Sequence, residues 1–385
     1  MFSARTKALV LLLGVPLGFA FAVLLGRAAE RYSKPDHFVR FHYKLAPETL
    51  YYPTFSTMEN LALARYRPGK TLVVIAGNSI LNGFGQEEKD VWSLRLQEQL
   101  GERYAVVNLS FRGTLPCEGA SLVAESLLRR GLPVILVTNT APNVVGRSAG
   151  GAYGYLYWDA FFKGRLTKYL PREQDIAGWE ATLPPADLER QNEFRRAARL
   201  DALFHYQTLW HHVGYRHLFT VWSPHTRERF LQPRASFPDD MPGPAPLNDR
   251  FRDYLKEEME IVRGFSSVLA EPVDRDGWRA TEISQEVARG LVESMFVPAL
   301  RPHTIMIQNQ NAPFYRARLT PSERARDDIV FVAYEQLWRK LGIACHTVGT
   351  DFENADFRDR THLTASGGEK LATLVAGYVR QLNPP

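Results

Sequence analysis

Three short runs between residues 71 and 139 constrain this chain more than any other feature. "TLVVIA" (71–76), "YAVVNLS" (104–110) and "PVILVTN" (133–139) are apolar almost throughout. A strand with one wet face alternates polar and apolar residues, whereas a strand covered on both faces reads as a continuous apolar run. Between the runs lie amphipathic stretches that close on glycine. Residues 88–101 carry apolar side chains at 91, 92, 94, 96 and 100 before Gly101, and 119–131 end on Gly131. Glycine just past an amphipathic run is a helix stop. Buried strands alternating with helices predict a parallel sheet covered on both faces.

The alternation breaks between 147 and 300 and then resumes. "HTIMIQN" (303–309) reads as a fourth strand, and Thr320-Pro-Ser-Glu323 opens a helix with a capping box and a proline at its first position. A fifth strand follows at 343–349, and a last helix follows "DRTHLTASGG". The expected architecture is an α/β domain over 71–385 with a five-stranded parallel sheet and a mostly helical insertion at 147–300. Residues 30–70 show no sustained period and read as a tether. The insertion interrupts the fold between strands three and four, where it would lean over the strand ends. Its first part, "GGAYGYLYWDAFFKGRL", holds six aromatics in seventeen residues. Aromatic platforms suit sugar rings or acyl chains, and packing of the insertion onto the domain accounts for them equally.

Residues 8–26, "ALVLLLGVPLGFAFAVLLG", carry no charge and are long enough to cross a bilayer as a helix. Arg5 and Lys7 precede them. The run is long for a signal peptide, and "GRAAERYS" is a poor cleavage site, so an uncleaved membrane anchor over 1–29 is expected. Arg27, Arg31, Lys34, Arg40 and Lys44 follow. A strict count of flanking charge would keep them cytoplasmic, but that rule weakens before a long domain and leaves the side open. The net charge of +5 is spread rather than blocked, which argues against a nucleic-acid partner. Cys117 and Cys345 are too few for a disulfide framework and lack metal-ligand spacing. His205, His211, His212 and His217 find no carboxylate or thiol to complete a ligand set, so no metal or organic cofactor is implied.

The first strand runs into Gly77-Asn78-Ser79. In a parallel sheet, loops converge only at the carboxyl ends of strands. A serine placed there can act as a nucleophile if a base takes its proton and a third group holds the base. Asp359 and His362 lie in "DRTH", after strand five and before the last helix. Their spacing of three lets the carboxylate reach one imidazole nitrogen while the other faces Ser79. An oxyanion hole needs donors aimed at the developing charge. Candidates are the backbone N–H of Ser79, Gly113 after strand two, and the side-chain amide of Asn139 at the end of strand three, with Asn143 as the alternative.

These four blocks resemble the SGNH (GDSL-type) hydrolase superfamily over about 71–145 and 300–380. The resemblance implies a three-layer α/β/α, flavodoxin-like fold, with Ser79 as nucleophile, His362 as base and Asp359 as its orienter. It also implies an oxyanion hole from Ser79, Gly113 and an Asn. In that fold strands two and five lie at opposite edges, which keeps Cys117 and Cys345 too far apart for a disulfide. Two departures stand out. Gly-Asn-Ser replaces the usual Gly-Asp-Ser, and Thr138-Asn139-Thr140-Ala141 replaces the usual Gly-x-Asn-Asp. The anchored arrangement is similar to membrane-tethered members that move acyl groups on cell-envelope polymers. By that analogy the chain is a serine esterase or O-acyltransferase acting through an acyl-serine on an O-acylated envelope glycan. It would be single-pass and extracytoplasmic, with a partner acyltransferase. The alternatives are a small-ester or lipid esterase, and a catalytically weak glycan-binding or scaffold domain.

Overall fold

The structure is a computed structural model that describes residues 3–32, 39–40, 44–46, 49–50, 54–111, 121–139, 155–165, 180–181, 183, 185–205, 270–273, 277–280 and 298–382. Its centre is a sheet of β1 (Thr71–Ile75), β2 (Tyr104–Asn108), β3 (Val134–Asn139), β4 (Thr304–Asn309) and β5 (Ala344–Val348). All neighbours pair in parallel, in the order β2-β1-β3-β4-β5. Every residue of β1 to β4 is buried, as their uninterrupted apolar character requires. The helices are α1 (Ala4–Tyr32), α2 (Phe55–Arg65), α3 (Ser79–Asn82), α4 (Trp92–Leu100), α5 (Ser121–Arg129), α6 (Tyr155–Phe162), α7 (Pro185–Phe204), α8 (Pro313–Arg316), α9 (Pro321–Lys340) and α10 (Ala365–Gln381).

Strand side chains alternate between the two faces. Leu72, Val74, Leu136 and Met306 pack with residues of α2, α5 and α9. Val73, Ile75, Val137 and Ile307 pack with Trp92 and Leu96 of α4 and with Leu371, Val375 and Val379 of α10. The sheet is therefore sandwiched between two helical layers. Helix α4 stops at Gly101, whose φ of +70° suits a residue without a Cβ. Helix α9 opens with the expected capping box: Thr320 Oγ1 accepts from the Glu323 N–H, and Glu323 Oε2 accepts from the Thr320 N–H.

One stretch read as tether is core. Helix α2 lies within 30–70 and buries Phe55, Met58, Leu61 and Ala62 against the sheet. Those positions do carry helical spacing, but over only three turns and beside the polar Glu59 and Asn60. Tertiary burial, more than local period, makes this helix.

The described part of the insertion also packs on α2. Leu156 and Ala160 of α6 join the core beneath it, and Asp159 Oδ2 accepts the Phe55 N–H at 2.7 Å. Lys163 lies 3.0 Å from Asp159 and 3.4 Å from Asp201 of α7, and both carboxylates are fully buried. Burial pushes the Asp159 carboxyl up to about 6, with Lys163 pulling the other way. Tyr155, Tyr157 and Trp158 form a small core with Ala198, so these aromatics pack the insertion. Most of the insertion lies outside the described residues, so its expected lean over the strand ends does too. Residues 4–28 of α1 are long and apolar enough to cross a membrane.

Candidate active site

The sheet order reverses at β1. The chain crosses from β1 to β2 on one side and then to β3 on the other, so loops leaving β1 and β3 diverge and leave a crevice at their carboxyl ends. Ser79 and Asn139 stand on either side of it.

Several elements hold the turn that carries Ser79. Asn78 caps α3, its Oδ1 accepting the Ile80 N–H at 3.0 Å, and Ser79 is the first helical residue. Among the described residues no acceptor takes the Ser79 N–H. Asn139 clasps Asn78 twice: its Oδ1 accepts the Asn78 N–H at 3.0 Å, and its Nδ2 donates to Asn78 Oδ1 at 2.9 Å. Gly77 permits that approach, because a Cβ there would overlap Asn139 Oδ1 and come within 2.9 Å of Leu81. From β2, Phe111 donates its N–H to Gly77 O at 3.0 Å. Asn82 Nδ2 donates to Ser110 O at 3.0 Å, and Asn108 Nδ2 donates to Leu81 O at 3.1 Å.

The loop before α10 is closed by an antiparallel bridge between Phe357 and Leu363. Within it, Asp359 Oδ1 accepts the N–H groups of Thr361 at 3.0 Å and His362 at 2.8 Å. This fixes the carboxylate. Its Oδ2 lies 2.6 Å from His362 Nδ1, and His362 Nε2 lies 2.7 Å from Ser79 Oγ. An ionised carboxylate only accepts, so Nδ1 carries the proton and Nε2 is left to accept from the serine hydroxyl. Burial raises the Asp359 carboxyl, but the His362 hydrogen bond, its charge and the two backbone N–H groups outweigh burial and hold it below the usual carboxylate range. Phe84 meets the His362 ring edge-on at 4.8 Å. The side chains of His362 and Asp359 keep 19% and 21% of their exposure, so the relay is reachable from solvent.

Of the residues singled out from sequence, Ser79, His362 and Asp359 meet in hydrogen-bond contact. Asn139 sits at the site's edge with one amide hydrogen committed to Asn78. Gly113 and Asn143 fall outside the described residues. Cys345 is a free, buried thiol whose pKa burial raises, and β2 and β5 are the opposite edges of the sheet. Among the described residues no cluster of His, Cys, Asp or Glu could hold a metal ion.

Three contributors carried no signal in the sequence. Gln86 joins the two halves of the site: its Nε2 donates to Thr364 O at 3.3 Å, and its Oε1 accepts the Trp92 N–H at 2.9 Å. Arg40 is buried, and its guanidinium donates to Gly83 O and to Gln86 O at 2.6 Å, just after the turn that carries Ser79. Arg360 Nη1 donates to Asn311 Oδ1 at 2.8 Å, tying the loop that carries His362 to the segment just after β4. A lone Arg or Gln has no periodicity to mark it, and its role depends on chain segments far away in sequence.

No protein-family model matches the chain, and no curated protein matches it significantly. The reading of function therefore rests on geometry.

Proposed function

We propose that this chain is a membrane-anchored serine esterase or O-acyltransferase of the SGNH type, working outside the cytoplasmic membrane on an O-acylated envelope glycan. The observation that carries the reading is the hydrogen-bonded series Ser79 Oγ, His362 Nε2, His362 Nδ1 and Asp359 Oδ2 at the carboxyl edge of a parallel sheet. A strand order of 2-1-3-4-5 with helices on both faces agrees with a flavodoxin-like fold.

In this mechanism Ser79 Oγ attacks the ester carbonyl carbon as its proton passes to His362 Nε2, and Asp359 stabilises the imidazolium. The C–O bond to the alcohol then breaks, and His362 returns the proton to the departing oxygen, leaving an acyl-serine. Water or a sugar hydroxyl gives its proton to His362 and attacks the acyl carbon, and Ser79 recovers its proton as it leaves. The tetrahedral oxygen takes the Ser79 N–H, the Gly113 N–H and the second amide hydrogen of Asn139, with Asn143 as the alternative third donor. Ser79, His362 and Asp359 supply this chemistry with no step assigned to a cofactor, and a multi-span acyltransferase is the partner that would deliver the acyl group.

The experiment is active-site labelling followed by acceptor competition. A fluorophosphonate should label the protein and fail on Ser79→Ala. Hydrolysis of p-nitrophenyl acetate should be slow and speed up when oligosaccharide is added, with acylated sugar seen by mass spectrometry. Fast hydrolysis indifferent to acceptors favours a plain esterase. Absent labelling favours a glycan-binding or scaffold domain.

A further inference from the structure

Helix α7 is two-sided. Gln191, Ala198 and Asp201 are buried against α6, while the opposite stripe is open to solvent. Along that stripe stand Glu189, Glu193, Arg196, Leu200 and Leu203, at spacings of three and four that keep them on one face, with Arg199 beside Leu200 and four residues from Leu203. Their chemistry is graded: acidic first, then basic, then apolar. Leu200 and Leu203 are 41% and 55% exposed.

The apolar end of this stripe meets α1. The Phe204 ring lies edge-on to Phe19 at 4.7 Å. Gly26 is buried, and a Cβ there would stand 2.6 Å from His205 Cβ. Arg27 Nε donates to His205 Nε2 at 3.4 Å. Phe19 lies well inside the apolar segment 4–28, roughly 13 Å along the helix from its outer end. A bilayer that accommodates α1 therefore reaches the level of Phe204. Measured along α7 from Leu203, Arg199 is about 6 Å back and Arg196 about 10 Å back. The headgroup layer on each side of a bilayer is about 5–8 Å deep. Away from the contact with α1, the stripe passes from apolar to basic to acidic.

We propose that the C-terminal half of α7 is a second membrane contact, docked on an anionic bilayer. Leu200, Leu203 and Phe204 enter the acyl boundary, Arg196 and Arg199 take lipid phosphate, and Glu189 and Glu193 stay in water. Apolar burial and cation–phosphate attraction drive such interfacial binding together. The domain then sits down on the membrane beside its anchor, at a fixed height, instead of swinging on a tether. This surface is independent of the chemistry at Ser79.

The test uses the full chain in nanodiscs of phosphatidylglycerol and phosphatidylcholine. A spin label is placed at Leu203→Cys, or at Val332→Cys on α9 as an exposed control (49% exposed), both in a Cys117→Ser background; Cys345 is buried. The label at 203 should collide severalfold more with oxygen, and severalfold less with a soluble nickel chelate, than the label at 332. Adding Arg196→Gln and Arg199→Gln should make the label at 203 shallower in phosphatidylglycerol and change little in pure phosphatidylcholine. If a labelled chain unfolds, quenching of Leu203→Trp emission by brominated lipid gives the same readout. Equal nickel access at 203 and 332, or no quenching by bromolipid, overturns the proposal.

Discussion

Asn139 shows how one amide can serve two purposes. It clasps both the backbone and the side chain of Asn78, so it holds the turn whose next residue is Ser79. If positioning is its main contribution, Asn78→Ala and Asn139→Ala should each lower ester turnover by about 100-fold, and the double variant should lose little more. Additive losses, or a nearly neutral Asn78→Ala, would instead mark Asn139 as an oxyanion donor alone. Asp159 gives a prediction about pH. Its folded pKa of about 6 lies above its ordinary value of 3.8, because burial penalises the carboxylate more than Lys163 rewards it. Between these values the native state binds the proton that the unfolded state has lost, so this group makes stability fall as pH rises from about 4 to 6. In Asp159→Asn that part of the stability curve, measured by urea unfolding, should flatten by on the order of 3 kcal/mol. Asp356 works in the opposite sense. Burial raises it, but Lys370, the Glu353 N–H and Ser366 outweigh that and hold it low, so its contribution is lost as pH falls through the carboxylate range.

At the level of elements, the site depends on how three loops are joined. Gln86 is the cross-brace between the segment after α3 and the start of α10, and Gly368 leaves room for it, since a Cβ there would stand 2.6 Å from Gln86 Nε2. Gln86→Leu would strand the Trp92 N–H and remove the tie to Thr364 O, which keeps the Gly368 N–H at 2.9 Å. Each buried group left unpaired costs about 1–3 kcal/mol, so the midpoint of chemical unfolding should drop measurably. Turnover should drop with it, because His362 lies two residues before Thr364. An unchanged midpoint would show that water replaces the amide. The elements themselves were legible where their pattern was local: the apolar strands, Gly101 as a stop, and the capping box of α9. Helix α2 was not, because three turns of apolar spacing became a helix only once the sheet offered a surface to bury Phe55 and Met58.

For the whole molecule, the distance between α1 and the site is limited by the chain itself. Arg40 lies eight residues beyond the end of α1 at Tyr32, and it supports Gly83 and Gln86 directly after the Ser79 turn. Eight residues reach at most about 29 Å, so Arg40 and the turn it supports lie within that distance of the end of α1. Arg40→Met keeps the stem but removes the donor to both carbonyls; Gly83 O keeps the Gln86 N–H at 3.1 Å, while Gln86 O loses its guanidinium. It should slow the reaction of Ser79 with a fluorophosphonate while global unfolding shifts less, and equal loss in both would make Arg40 a purely structural clamp. The sequence by itself determined the α/β class, the membrane-length helix and the strand-end placing of Ser79, Asp359 and His362. These follow from short-range rules: uninterrupted apolar runs, capping patterns and a carboxylate three residues from an imidazole. Only the tertiary structure decided that Asn139 grips Asn78, that Gln86 and Arg40 brace the segment after Ser79, and that α7 ends against α1. Those contacts join residues tens to hundreds of positions apart. A polar side chain's partner is set by strand order and register, which no local pattern encodes.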